Sequence, residues 1–288
     1  GRQSADAARR QGARARGVAQ CAPGSAVHEP KVRGRESVLA VAAEFTAHVA
    51  NWFADVVNAA SGPLRVALCG GSTPRGLYAL LGSPEYRTRL AWDRVHLFWG
   101  DERFVPHEDP QSNYGMVRDT LLAHAPIPLD QVHPIPVTGD PQEAARAYQV
   151  ELQRAYGSAT LAPARYLFDV NFLGLGADGH TASLLPGDPV LREQARWVAP
   201  VPHGRASARI TLTYPALESS RITAFLVTGA EKADAVRRAR AGDAMIPAGA
   251  LSPGGEEIWF LDSAVASATS AHVDETHRTP QPTDRRRA

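Results

Sequence analysis

A short apolar segment, a glycine turn and a helical pattern follow one another repeatedly along this chain, and this order constrains the fold most. The apolar segments predict strands at residues 64–69, 95–99, 168–175 and 222–227. Glycine turns come at or just after their ends, at Gly70, Gly100, Gly176 and Gly229. Strands that alternate with helices predict an α/β fold, in which a Rossmann-like, mostly parallel sheet carries helices on both faces.

The helices are predicted from apolar residues spaced three and four apart and from capping residues. The spacing predicts helices over 36–58, near 114–122, over 141–156 and from 231 onward. One further helix follows the first glycine turn, with Thr73 as its N-cap and Pro74 at its first helical position. Because parallel sheets bind ligands beyond the carboxyl ends of their strands, the four glycine turns should line one binding edge.

The composition excludes several classes of protein. Lys and Arg number 31 and Asp and Glu 30 among 288 residues, so a net charge of +1 does not support a nucleic-acid-binding chain. No apolar run approaches the roughly 20 residues of a membrane helix, so no membrane association is expected. Two cysteines, Cys21 and Cys69, are too few for a disulfide framework and predict free thiols in the cytoplasm.

The two ends of the chain differ from its centre. Residues 1–28 hold five arginines and one aspartate without hydrophobic periodicity, which predicts a disordered basic tail. The alternatives are that this tail is a targeting segment or that it contacts a nucleic acid or another partner. The sequence predicts one folded domain over 29–266 and a second disordered tail over 267–288. The oligomeric state is left open, with a monomer slightly favoured.

Gly70-Gly71-Ser72-Thr73 follows the first strand. Glycines let the backbone approach an anion, and a helix start adds free N–H groups. The same residues are also typical of an ordinary strand-to-helix turn. Both interpretations, an anion-binding turn and a purely structural one, stay open at this point. The segment is not a Walker A loop, because no Gly-Lys-Ser/Thr follows. It is not a nucleophile elbow either, because Pro74 occupies the place of the second glycine.

Residues 174–179 formally match the G-x-G-x-x-G pattern of dinucleotide sites. Asp178 argues against such a site, because its carboxylate would lie beside the pyrophosphate. His180 follows directly and is a candidate general base, with Asp178 as a candidate orienting partner. The alternative is a solvated loop histidine without a catalytic role.

Three cationic side chains, Arg103, Arg209 and Lys232, come at or near the ends of predicted strands. Each by itself is typical of a surface charge, but together near a glycine turn they would form an anion pocket. The sequence contains no recognisable metal-binding motif, so a metal site is not predicted.

These motifs together resemble the 6-phosphogluconolactonase family, which is related to the glucosamine-6-phosphate deaminases. The matching segments follow the family's order, cover roughly 35–265 and lie at 68–74, 99–106, 112–114, 173–187, 209–213, 228–233 and 247–251. The Asp-Gly-His-Thr-Ala-Ser-Leu-Leu-Pro-Gly block at 178–187 is the most specific of them. Leu185 departs from the family, since many members have Phe there, and the long basic N-terminal segment is also unusual.

The resemblance implies the sugar-phosphate deaminase/isomerase fold and hydrolysis of 6-phospho-D-glucono-1,5-lactone in the oxidative pentose phosphate pathway, without a cofactor. It implies that His180 is the base that activates water and that Asp178 orients it. The substrate-binding residues would be Gly70, Gly71, Ser72, Thr73, Arg103, Arg209 and Lys232.

Two other functions compete with the lactonase. A deaminase would continue after the histidine into an Ala-Phe-Asn-Glu-Pro-like segment, whereas this chain has Thr181-Ala182-Ser183-Leu184. A non-catalytic sugar-phosphate sensor would be coupled to a DNA-binding module, for which this chain has no room.

Overall fold

The computed structural model describes residues 33–39 and 42–276. The strands are β1 (Arg35–Leu39), β2 (Leu64–Leu68), β3 (Val95–Trp99), β4 (Asp101–Arg103), β5 (Val132–His133), β6 (Phe168–Leu173), β7 (Val198–Val201), β8 (Arg209–Leu212), β9 (Ser220–Val227) and β10 (Glu256–Asp262). The α-helices are α1 (Ala42–Ala59), α2 (Ser72–Leu81), α3 (Asn113–Val117), α4 (Pro141–Tyr156), α5 (Tyr214–Glu218), α6 (Ala233–Arg240), α7 (Pro247–Ala250) and α8 (Ser263–Thr276).

Seven of these strands form a parallel sheet in the order β1-β10-β9-β6-β2-β3-β5. From β2 the chain adds β3 and β5 on one side, and from β6 it adds β9 and β10 on the other. The direction of winding therefore reverses between β2 and β6, and in such sheets the ligand crevice opens at that reversal.

The central strands are buried on both faces. Successive strand residues point to opposite faces, yet β6 and β9 are buried at almost every position. The hydrophobic core includes Trp99 and Trp259, which are fully buried. This burial confirms the predicted α/β fold with a mostly parallel sheet.

A second, antiparallel sheet of three strands has the order β4-β8-β7. It pairs Arg103 with Arg209 and Asp101 with Thr211, so residues that are far apart in sequence lie side by side. The small sheet extends from the carboxyl end of β3 and so lies next to the binding edge.

Two helix starts differ from the predictions. Residues 35–39 form β1, which pairs with β10, and α1 begins only at Ala42, so the predicted helix over 36–58 is wrong in its first turns. Strand pairing overrides the local helical period there. Thr73 is not the N-cap of α2 either: the helix begins at Ser72, and Gly71 is its N-cap.

The prediction for the C-terminal tail is also wrong in part. Helix α8 continues to Thr276, so residues 267–276 are helical, whereas the sequence predicted disorder from 267. The Asp262 carboxylate accepts a hydrogen bond from the backbone N–H of Val265, and Val265 is fully buried, so the helix start is anchored to the domain. The predicted tail over 1–28 and residues 277–288 lie outside the described residues.

Candidate active site

A pocket of about 240 Å³ opens at the carboxyl ends of β2 and β6, where the winding of the large sheet reverses. Its lining includes residues from the glycine turns after β2 and β6, from β4, from β8 and from the start of the segment after β9. The lining residues are Cys69, Gly70, Gly71, Ser72, Thr73, Pro74, Asp101, Arg103, Asn113, Gly174, Leu175, Gly176, His180, Ala182, Arg209, Leu226 and Lys232. The residues predicted to bind substrate thus lie around one cavity, together with His180.

The N-terminus of α2 faces this pocket without a side-chain cap. Gly71 has φ 115°, a conformation that favours glycine, and no side chain caps the first turn of the helix. The Thr73 hydroxyl instead lies 2.7 Å from the hydroxyl of Thr228, the residue directly after β9. Backbone N–H groups in the first turn of a helix lack partners within the helix and carry its positive dipole end, so they favour an anion.

Gly70 allows an unusually close approach of a side chain. A Cβ atom at this position would lie 1.8 Å from Oδ1 of Asn113, which is closer than two atoms can pack. The Asn113 amide donates to the backbone carbonyl of Asp101 at 2.9 Å. The glycine therefore makes room for a side chain that connects β2, β4 and α3.

Asn113 also holds Arg103. The Arg103 Nη1 donates to Oδ1 of Asn113 at 2.9 Å and to the backbone carbonyl of Gln111 at 2.7 Å. Its Nε is buried without a partner among the described residues. Arg103 is thus held in place at the pocket and keeps a donor that a bound anion could satisfy.

Glu102 supports this arrangement from the side of the protein interior. Its carboxylate accepts hydrogen bonds from the backbone N–H groups of Arg103, Asn113 and Tyr114 and from the Ser112 hydroxyl. Burial raises the pKa of Glu102, and the three backbone N–H groups oppose that shift in part. This buried carboxylate fixes the start of α3 relative to β4.

Arg209 on β8 is the cross-strand partner of Arg103 on β4 in the small sheet. Its Nη1 is 3.3 Å from the Ser183 hydroxyl and 3.9 Å from the Asp101 carboxylate, while Ser183 donates to Asp101 at 2.5 Å. Burial lowers the pKa of Arg209 from its high usual value, and Asp101 opposes the shift. The pocket lining thus has three cationic side chains, those of Arg103, Arg209 and Lys232, and one carboxylate.

The loop after β6 shapes the other side of the pocket. The Gly176 N–H donates to the His180 carbonyl at 2.9 Å, and the Gly179 N–H donates to the Gly176 carbonyl at 2.9 Å. A Cβ at Gly176 would lie 2.0 Å from Nδ1 of His180, and Gly179 has φ 81°. Gly176 therefore allows the close approach of the imidazole, and Gly179 allows the tight turn. These two roles explain the glycine pattern without a dinucleotide site.

His180 and Asp178 are in direct contact: Nδ1 of His180 lies 2.6 Å from Oδ1 of Asp178. Burial alone would raise the pKa of Asp178, but the hydrogen bonds and charge of His180, helped by Arg205, hold it below its usual value. Asp178 is therefore ionised near neutral pH. A carboxylate at this distance can orient the imidazole and stabilise its protonated form.

Cys69 also lines the pocket, but it is 4% exposed and its N–H and carbonyl are hydrogen-bonded to the Tyr78 hydroxyl. Burial raises the pKa of the Cys69 thiol to about 12. A neutral thiol is a weak nucleophile, so the geometry favours His180 over Cys69 as the reactive group.

Two comparisons connect this architecture to known proteins. A family model described as glucosamine-6-phosphate isomerases/6-phosphogluconolactonase matches residues 38–260. The chain belongs to this family. A 6-phosphogluconolactonase from Synechocystis sp. is 40% identical over 202 residues, which is 68% of this chain and 81% of that protein.

Solved structures show the same similarity. The 6-phosphogluconolactonase from Trypanosoma cruzi has a TM-score of 0.72 and 28% identity, covering 83% of this chain and 98% of its own. A monomeric glucosamine-6-phosphate deaminase has a TM-score of 0.67 at 21% identity, which shows a shared fold alone.

The sequence motifs did not reveal every residue of the site. Asn113 was part of a matching segment, but no pattern showed that it holds Arg103. Asp101 lies in the Gly-Asp-Glu-Arg segment that also contains Arg103, and it is 5% exposed beside the pocket. Arg205 contacts Asp178 from a loop without a motif, so its role could come only from the structure.

Proposed function

We propose that this chain hydrolyses 6-phospho-D-glucono-1,5-lactone to 6-phospho-D-gluconate, and that His180 activates the attacking water. The observation that carries the proposal is that the His180–Asp178 pair adjoins a pocket with three cationic side chains and an uncapped helix start. A phospholactone has the two matching parts, a dianionic phosphate and an activated ester.

The phosphate end is proposed to bind at the start of α2 and at the cationic side chains of Arg103, Arg209 and Lys232. Arginine offers a planar fork and lysine a point charge, and both are effective phosphate partners. Binding energy from a phosphate that does not react can place the carbonyl carbon against the base and the water.

At the reacting end, the charged Asp178 accepts a hydrogen bond from the N–H at Nδ1 of His180, which leaves Nε2 as the basic nitrogen. Nε2 takes a proton as the water oxygen bonds to C1. The bond between C1 and the ring oxygen then breaks, and the imidazolium returns the proton to that oxygen. The products are a hydroxyl group and a carboxylic acid, which ionises. Such acid–base catalysis contributes roughly 10²–10⁴-fold.

The relatives support this reaction over the competing functions, because the similar proteins at 40% and 28% identity carry the name 6-phosphogluconolactonase. No group of three His, Cys, Asp or Glu side chains within 33–39 and 42–276 could hold a metal ion. In the same residues no helix is long and apolar enough to span a bilayer. Activity without a cofactor, a cytoplasmic location, the absence of a nucleic-acid partner and the oligomeric state stay predictions.

The test is a pH-stat measurement of acid release from freshly prepared 6-phosphogluconolactone by the purified full chain, corrected for spontaneous opening. A parallel assay measures ammonia release from glucosamine 6-phosphate. We expect rapid lactone hydrolysis and no ammonia. Ammonia release without lactone hydrolysis would establish a deaminase, and product binding without either reaction would establish a sensor.

A further inference from the structure

We propose that Arg205 is a positioning residue that fixes Asp178 and controls the protonation of His180. This inference rests on the proposed function of His180. Arg205 belongs to the connection between β7 and β8, whereas Asp178 and His180 belong to the loop after β6. The contact therefore joins the small sheet to the proposed catalytic loop.

The Asp178 carboxylate is held at both oxygens. Oδ1 accepts from Nδ1 of His180 at 2.6 Å and from the backbone N–H of His180 at 3.3 Å, while Oδ2 accepts from Nη2 of Arg205. A carboxylate bound through one oxygen can rotate about its terminal bond, and a partner on the second oxygen opposes that rotation. Arg205 thus holds Oδ1 against the imidazole.

Arg205 also places a positive charge beside the imidazole. Its Nη2 lies 3.3 Å from Nδ1 of His180. Both atoms are donors when Nδ1 carries its proton, so this contact is not itself a hydrogen bond. A neighbouring cation disfavours the imidazolium and shares the negative charge of Asp178. The positive charge of Arg205 therefore opposes the positive charge that His180 gains when it takes a proton from the water.

The effect adds to other charges around the histidine. Lys232, Arg103 and Arg209 are cationic residues of the pocket lining, and Asp101 is its carboxylate. They stay in place when Arg205 is changed, so a comparison of variants isolates the contribution of Arg205. The Arg205 side chain is 56% exposed, so solvent screens its charge and the change should be moderate.

The kinetic test compares Arg205→Gln and Arg205→Lys with the wild-type chain as a function of pH. For Arg205→Gln we expect kcat to fall on the order of 10-fold, through looser positioning, with KM almost unchanged. The acidic limb of the kcat profile should move to higher pH, because the imidazolium of His180 loses its proton less readily once the neighbouring positive charge is removed. Arg205→Lys keeps the charge and should retain the wild-type acidic limb with an intermediate kcat.

The matched control is Arg196→Gln. Arg196 is 50% exposed and pairs with Glu193 at 2.6 Å, outside the pocket lining. We expect this variant to keep the wild-type kcat and profile. A lower kcat with an unmoved acidic limb in Arg205→Gln would overturn the inference, because a merely structural contact gives that result.

A second measurement does not need turnover. Histidine-selective NMR follows the imidazole signals of the full chain between pH 5 and 9, with His180 assigned from its loss in His180→Gln. We expect the His180 titration curve of Arg205→Gln to move to higher pH and that of Arg196→Gln to stay in place. Superimposed curves would reject the role of Arg205 even if the lactonase assay succeeded. An inactive wild-type chain with a moved curve would reject only the proposed function.

Discussion

Nδ1 of His180 and Oδ1 of Asp178 lie 2.6 Å apart, and only one residue separates the two in sequence. The same Oδ1 accepts a hydrogen bond from the backbone N–H of His180 at 3.3 Å, so the carboxylate folds back over its own loop. The tight turn closed by Gly176 and Gly179 brings them together. The contact determines which ring nitrogen of His180 carries the proton.

Replacing Asp178 by Asn should lower kcat by about 10²-fold and leave KM nearly unchanged. The amide removes the negative charge that stabilises the imidazolium and can favour the wrong tautomer. The fall should be smaller than for a buried carboxylate, because the Asp178 side chain is 40% exposed. Steady-state kinetics on the phospholactone measures this effect.

Asp234→Asn is the control, since Asp234 is 61% exposed and pairs with Arg237 on the surface. If the two variants had equal kcat values, Asp178 would not assist His180.

Gly70→Ala should lower kcat/KM by about 10-fold or more. The added Cβ would displace Asn113, and Arg103 would lose its 2.9 Å hydrogen bond to that side chain. A lost charge-assisted hydrogen bond costs about 1.5–3 kcal/mol. Kinetics and a thermal melt together measure this loss and show whether folding is affected.

Gly62→Ala gives a close control, because a Cβ at Gly62 would meet nothing within 4 Å. Gly62→Ala should match the wild type in both measurements. Wild-type kinetics for Gly70→Ala would mean that Asn113 and Arg103 do not depend on this close approach.

Lys232→Ala and Arg103→Ala should weaken the preference for a phosphorylated substrate. We expect each to lower kcat/KM for the phospholactone by roughly 10- to 150-fold, the equivalent of about 1.5–3 kcal/mol. The kcat/KM for unphosphorylated gluconolactone should change little. The measured quantity is the ratio of the two kcat/KM values. Arg154→Ala, with a side chain that is 75% exposed, is the control.

The ratio should drop in both pocket variants and stay constant in the control. Equal losses on both substrates would show that Lys232 and Arg103 serve the fold or the chemistry and do not select the phosphate.

Chelators should not inhibit the enzyme. The described residues hold no cluster of His, Cys, Asp and Glu suited to a metal ion, and a histidine base can activate water directly. The measurement is lactone hydrolysis before and after prolonged incubation with EDTA. Loss of activity that one particular metal restores would contradict the proposed mechanism.

Much of this architecture could be predicted from the sequence, because the apolar runs and glycine turns carry local information. Helix α4 lies at Pro141–Tyr156 and strand β3 at Val95–Trp99, at the predicted residues. The positions of β1 and of the small sheet depend on pairing with distant strands, which no local pattern records.

The candidate site divides in the same way. His180, Arg103 and Lys232 lie in motifs that can be read from the sequence, and all three line the pocket. The contact of Arg205 with Asp178 spans 27 residues and comes from a loop without a motif. Such contacts depend on how loops meet in space, so only coordinates reveal them.

The central claim is that His180 is the base that activates water, and a single variant tests it most directly. His180→Ala is compared with the wild type in hydrolysis of fresh phospholactone under single-turnover conditions, and binding of 6-phosphogluconate is measured by calorimetry. The control is His124→Ala, which removes an exposed histidine outside the pocket lining. We predict that His180→Ala loses about 10²-fold or more of the rate while it still binds the product. A rate close to that of the wild type would contradict the account, because His180 would then be structural.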